Sequence, residues 1–157
     1  MSTVVRLPTA AALTAALLAA GAAMASGARE PVLPGPVSAQ VLEVVDGDTL
    51  RVRATVWLGQ EVETRVRMEG VDTPELHGRC PREAEMAQEA RRFLQRLVAD
   101  GAVVLRDVQH DKYGGRVRAR VATAGGDDVA EALVRAGLAR AYLGEARQPW
   151  CALVQAR

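Results

Sequence analysis

The chain has 157 residues, 49% of them hydrophobic but only 3% aromatic, with 20 basic against 19 acidic side chains. That length gives one domain with a real core and little more. Near-neutral charge excludes recognition of a polyanion by bulk electrostatics, so any affinity for phosphate has to come from local arrangement.

Residues 1–25 predict an export leader. Arg6 supplies a positive n-region, residues 10–20 are Ala and Leu apart from Thr14, and Ala23-Met24-Ala25 has the small-x-small pattern of a cleavage site. Cleavage after Ala25 is expected, giving an exported chain, periplasmic or secreted. The alternative is an uncleaved N-terminal anchor, although the apolar run is short for a membrane span. Loss of Arg6 with the leader leaves 19 basic and 19 acidic residues. Residues 26–36, with Pro31, Pro34 and Pro36, read as a linker, and the domain proper as 37–157.

Two β-rich runs follow, 39–45 and 49–57, with Asp46-Gly47-Asp48 between them as a hairpin turn signal. Trp57-Leu58-Gly59-Gln60 is a second turn. Residues 61–68 alternate, with Val62, Thr64, Val66 and Met68 on one face and Glu61, Glu63, Arg65 and Arg67 on the other. These three runs predict a meander. Pro81 suits the first turn of a helix, and Met86, Ala87, Ala90, Phe93, Leu94, Leu97 and Val98 recur at helical spacing up to Gly101. Residues 103–108 and 116–122 read as two more strands. Asp128 is placed to cap a second helix, Val129 to Ala136, closed by Gly137. Three strands, a helix, two strands and a helix fit a small closed β-barrel, and the pattern alone also allows an open α+β sheet.

Cys80 and Cys151 are the only cysteines. An even count in an exported chain suggests a disulfide, with two free thiols as the alternative. Closing that loop is worth about 4 kcal/mol on the chain-entropy model. It would also tie the C-terminal tail to the start of the first helix. A zinc site is not expected, because two Cys and two scattered His lack the ligand spacing.

Three segments concentrate chemistry. Val45-Asp46-Gly47-Asp48-Thr49-Leu50 is followed by Val71-Asp72-Thr73-Pro74-Glu75, with Arg67 five residues before Asp72, and then by Asp111-Lys112-Tyr113-Gly114-Gly115-Arg116. Hard carboxylate oxygens suit a hard cation, and guanidinium forks match phosphate oxygens. Each segment alone has a plainer reading. Asp-Gly is ordinary hairpin chemistry, an acid or Thr before Pro with Glu following can start a helix, and Arg116, Arg118 and Arg120 share one outward-facing alternation. Tyr142 can be core packing, and His77 and His110 read as surface or loop histidines.

In order and spacing these segments resemble the staphylococcal nuclease (thermonuclease) family, over about Val37 to Tyr142. The resemblance implies a five-stranded OB-fold β-barrel with two or three helices, mainly β in an α+β arrangement. By that match Asp48, Asp72 and the Thr73 carbonyl would hold Ca²⁺, and Glu75 would be the general base that activates water. Arg67 would clamp the scissile phosphate and Arg116 would stabilise the leaving group. Lys112 and Tyr113 would contact a neighbouring phosphate, and Tyr142 would stack on a base. Asp46 would shape the turn or act from outside the ligand set. The family pattern Asp-Lys-Tyr-Gly-Arg is interrupted here by a second glycine. Either the loop is one residue longer and Arg116 is the second catalytic arginine, the preferred alignment, or that arginine is displaced.

The implied function is an exported, calcium-dependent nuclease. It would hydrolyse phosphodiester bonds of DNA and RNA with little sequence specificity, favour single strands and leave 3′-phosphates. A monomer is expected, with no stable membrane association after leader cleavage. The alternative from another class is a non-catalytic OB-fold module that binds nucleic acid or a protein partner. A structural calcium site is a further rival, but it needs more oxygen ligands than these segments offer. The loop after Glu75, Leu76–Arg82, is short for the family, and the tail after Tyr142 is short as well.

Overall fold

A computed structural model describes residues 30–151. The leader at 1–25, and with it the cleavage site, lies outside the described residues, as do the first residues of the linker. Among the described residues no helix is long and apolar enough to cross a membrane.

Nine elements follow in chain order: β1 Val37–Val44, β2 Thr49–Trp57, β3 Gln60–Met68, β4 Val71–Asp72, α1 Pro81–Leu97, β5 Ala102–His110, β6 Arg116–Thr123, α2 Val129–Arg135 and β7 Arg140–Ala141. Five strands close into a barrel in the order β1-β2-β3-β6-β5. β1, β2 and β3 form the expected antiparallel meander, with Val44 opposite Leu50 and Thr49 opposite Arg67. β6 joins β3 in parallel, with Arg67 opposite Arg118, and β5 pairs antiparallel with both β6 and β1. Closure removes the sheet edges that an open arrangement would leave. This is the OB-type barrel, and the open sheet is set aside.

Alternation along the strands fills the interior. Leu50, Val52, Val66, Met68, Val103, Leu105 and Val121 are all essentially buried, as a period of two requires of strands with one face inward. Val62 is the exception on its face, being 47% exposed. The β2–β3 hairpin runs past the end of the core there, so its alternation has nothing to pack against. The apolar stripe of α1 caps the barrel through Ala87, Ala90, Leu94 and Val98, and Arg91 Nε donates to the Val44 carbonyl at 3.0 Å.

α2 begins on the residue expected and ends one residue earlier, at Arg135, with Ala136 as its C-cap. The Asp128 carboxylate accepts from the Glu131 amide at 3.0 Å, which satisfies one of the orphan donors of the first turn. At the other end the Leu138 amide reaches the Leu133 carbonyl and the Gly137 amide the Val134 carbonyl, a paired closure that the positive φ of Gly137 allows. Part of the segment read as a linker is tied down. Leu33 exchanges both backbone hydrogen bonds with Val108, at 2.9 and 2.8 Å, and Pro34 accepts from Asp107. β4 and β7, which pair only with each other, lie outside the barrel, and their register sets Asp72 opposite Arg140.

Candidate active site

The loop between β1 and β2 carries the first acid. The Val45 amide bonds the Thr49 carbonyl, and the Asp46 carboxylate accepts from the Asp48 amide at 3.1 Å. Asp46 thus shapes the turn, in the arrangement Asp residues favour. Burial, and then the neighbouring charge of Asp48, push the Asp46 carboxyl up to about 6. Gly47 lets this turn lie against the second acidic segment. A Cβ there would sit 2.9 Å from Ala90 Cβ and 3.0 Å from Thr73 Oγ1, closer than side chains approach. Asp48 is held by Thr49 Oγ1, which donates at 2.9 Å, and by an ion pair with Arg67. Both members of that pair are largely buried.

Arg67 has moved off the solvated face that its alternation suggests. It lies directly across from Thr49 at the end of β3, and its second amino group reaches the Val71 carbonyl at 3.4 Å. One guanidinium therefore joins the Asp48 turn to the strand that ends in Asp72. Asp72 and Thr73 are each 4% exposed.

Glu75 follows on the loop before α1, its side chain mostly in solvent. That loop is pinned by Glu83, the third residue of α1, whose carboxylate accepts from the amides of Arg79, at 2.9 Å, and Glu75, at 3.4 Å. An acid three residues into a helix, reaching back to amides before it, is related to a capping box. Here it fixes the backbone that carries Glu75. Helix position Cys80 is bonded to Cys151 in a disulfide. The sulfurs and Glu83 form one potential metal-ligating cluster, but both sulfurs are spent in the bond and cannot act as thiolates.

The third segment closes the cleft. Arg116 Nε donates to Asp111 Oδ2 at 2.6 Å, and its guanidinium lies 4.9 Å from the Tyr113 ring centre, with Lys112 at 5.1 Å from the same ring. Burial works against the Asp111 charge. The Arg116 hydrogen bond and charge, with backbone amides of Tyr113 and Lys112, outweigh it and hold the carboxyl below its usual range. Gly115 adopts positive φ, which glycine allows, and the Asp111 amide bonds the Arg116 carbonyl across the loop. The three arginines of β6 part company here. Arg120 pairs with Asp107 and Asp128, while Arg116 and Arg118 both line the cleft, Arg116 paired with Asp111 and Arg118 with Glu69.

That cleft, a cavity of about 580 Å³, is lined by Arg67, Lys112, Tyr113, Arg116, Tyr142 and Arg147, among others. Tyr142 is half-buried there, its amide bonded to the Gly70 carbonyl at 3.0 Å, so it sits on the cleft wall and not in the core. A second cavity of about 370 Å³ holds Asp72, Thr73 and Glu75 with Trp150 and, again, Arg147. The predicted residues therefore assemble at one end of the barrel. His77 takes no part, and His110 lines the cleft at the end of β5.

Sequence reasoning missed the tail. Arg147 pairs with Asp72 Oδ1 at 3.1 Å and with Glu75 Oε1 at 2.7 Å. Burial disfavours its charge, and Asp72, Glu75 and Asp48 more than restore it, so its affinity for a proton is raised. Trp150 Nε1 donates to Asp72 Oδ2 at 3.3 Å. Arg140 holds this tail, stacked on the Trp150 ring at 3.6 Å and bonded to the Gln148 carbonyl at 3.1 Å. The one available signal was Cys151, whose bond to Cys80 brings residues 147–150 to the helix start.

Comparison with known proteins agrees with this geometry. The profile of the family described as Staphylococcal nuclease homologue matches residues 65–151, more than half of the chain. The chain is also similar to an uncharacterized endonuclease of Escherichia coli and to its counterpart in Escherichia coli O157:H7, each 30% identical over 112 residues. Those alignments cover 71% of this chain and 65% of the relatives, so the chain spans about two thirds of the curated proteins it matches. By its matched profile, its barrel and the assembled acid–arginine cluster, the chain belongs to the staphylococcal nuclease homologue family.

Proposed function

We propose that this protein is an exported, calcium-dependent nuclease that hydrolyses phosphodiester bonds of DNA and RNA with little sequence specificity and leaves 3′-phosphates. The observation that carries the reading is the gathering of Asp48, Asp72, Glu75, Arg67 and Arg116 at one barrel end. Family membership and the endonuclease name borne by the Escherichia coli relatives support it. Export rests on the leader sequence alone.

The donor set fits a hard divalent cation. Asp72 Oδ1 is buried and has no hydrogen bond despite the nearby guanidinium, alone in this respect among the described residues. A buried carboxylate oxygen without a hydrogen bond is costly, and its lone pair is left for a metal ion. Asp48, Asp72 and the Thr73 carbonyl would hold the ion, and water would complete a calcium shell of six to eight oxygens. When bound, the ion supplies Lewis-acid polarisation of the phosphate.

The chain's own residues supply the rest. Arg67 spends two of its five donors on Asp48 and the Val71 carbonyl, which leaves donors for a phosphate oxygen. Arg116 spends Nε on Asp111, which keeps both terminal amino groups for the phosphate and the leaving oxygen. Glu75, on a loop fixed by Glu83, takes the proton from the attacking water. Water as nucleophile needs no 2′-hydroxyl, so DNA and RNA are both substrates. Lys112 and Tyr113 hold a flanking phosphate, and Tyr142 offers a face for a base.

One observation favours the non-catalytic module. Arg147 already pairs with Asp72 and Glu75, so their charges are balanced without metal even though Asp72 Oδ1 keeps no hydrogen bond. Digestion of single-stranded DNA by the protein and by Glu75→Gln, with end-group analysis of the products, separates the two. The enzyme predicts 3′-phosphate ends from the wild type and a loss of about 10²–10⁴-fold in Glu75→Gln. A wild type that binds single-stranded DNA without cleaving it would establish the module.

A further inference from the structure

Arg147 lines both cavities, the one that holds the acids and the one that holds the phosphate-binding arginines. Its guanidinium spans Asp72 and Glu75 while its side chain stays 45% exposed, so one side of it is open to solvent. Its backbone, by contrast, is fixed close by. Cys151 is bonded to Cys80, Arg140 holds Gln148 and Trp150, and Trp150 itself reaches Asp72. A long charged side chain on a fixed short strap, between carboxylates on one side and a basic cleft on the other, has two places to go.

We infer that Arg147 is a third phosphate-binding arginine of the cleft, parked on Asp72 and Glu75 until a divalent cation claims Asp72 and the attacking water claims Glu75. The inference rests on the metal-dependent reading above. With Asp72 taken by the cation and Glu75 by the attacking water, the guanidinium loses its partners, and the unmet anion in the cleft is the substrate phosphate beside Arg67 and Arg116. Its planar fork suits that phosphate as it suits the carboxylates. Two opposite consequences follow. Without nucleic acid, Arg147 competes with the cation, and an internal competitor lowers apparent affinity by the fraction of sites it occupies. With cation bound, Arg147 adds to the grip on the phosphate.

The test measures Ca²⁺ binding alone by calorimetry, then binding of a cleavage-resistant phosphorothioate oligodeoxynucleotide at saturating Ca²⁺. It compares the wild type, Arg147→Met and Arg147→Lys with the disulfide intact in each. Arg147→Met is expected to bind Ca²⁺ about tenfold more tightly and the oligonucleotide about tenfold more weakly, the size of one charge-assisted hydrogen bond. Arg147→Lys keeps the charge and should fall between. A purely structural Arg147 would lower both affinities together. Ca²⁺ affinity unchanged or weakened in Arg147→Met, with the wild type binding Ca²⁺, would overturn the inference and leave the nuclease reading intact. Oligonucleotide affinity unchanged would also overturn it. A wild type that binds no Ca²⁺ would instead remove the metal-dependent reading on which it rests.

Discussion

The two sides of the site are built differently. Asp48, Arg67 and Arg116 stand on barrel strands or the turns joining them, and their contacts are short, largely buried and made within the sheet. Glu75 and Arg147 stand on loops outside the barrel, about half in solvent, and depend on Glu83 and on the Cys80–Cys151 bond for their place. On the barrel side, chemistry and stability share the same contacts. On the loop side they are separable, which suits groups that must exchange partners as cation and substrate enter.

The largest effect should come from the loop side. Glu75→Gln is expected to cut the single-turnover cleavage rate of single-stranded DNA by about 10²–10⁴-fold. Its thermal midpoint should not move, because the side chain is mostly exposed. Arg67→Met should do both kinds of damage. Cleavage should fall by about 10²–10³-fold, and denaturant unfolding should show a loss of about 3 kcal/mol, because Asp48 is left buried without its partner. Equal stability of the two variants would erase the distinction.

Reduction of the disulfide sharpens the comparison next. It should lower unfolding free energy by about 4 kcal/mol through loop closure. The barrel should remain folded by circular dichroism, because among the described residues its core contains none from the tail after Tyr142. The smallest effect belongs to Asp111→Asn, at about 2 kcal/mol for a hydrogen bond between charged partners. The folded-state pKa of Asp111 is lowered, so its contribution is present above the ordinary carboxylate value of 3.8 and is lost as pH falls through the folded value. The stability gap between wild type and Asp111→Asn should therefore be constant at neutral pH and shrink in acid. A gap that widened in acid would contradict this assignment.

How much of this was legible in the sequence follows the same division. The five barrel strands and two helices were readable because long runs with a period of 2 or 3.6 are enforced by burial, as at Leu50–Val52 and Ala87–Leu94. Asp128 and Gly137 were readable because their capping roles are local. β4 and β7 were not, since two-residue strands have no period and exist only through each other. Among the acids and arginines, Asp48 and Arg116 stood out only through the family pattern. Their near neighbours Asp46 and Arg118 look alike in sequence but take other partners, the Asp48 amide and Glu69. Arg147 carried no mark at all in a chain rich in arginine. Its place is set by a disulfide 71 residues long in sequence separation, which sequence could suggest but whose consequence for one nearby side chain it could not show. Val62 erred the other way, with a regular pattern that continues past the end of the core it seemed to serve.

The most direct measurement is digestion of single-stranded DNA by the purified protein in calcium and in chelator, followed over time. Degradation in calcium that stops with chelator and resumes when calcium is restored is the result that a metal-dependent nuclease predicts. No degradation by folded protein saturated with calcium would contradict it.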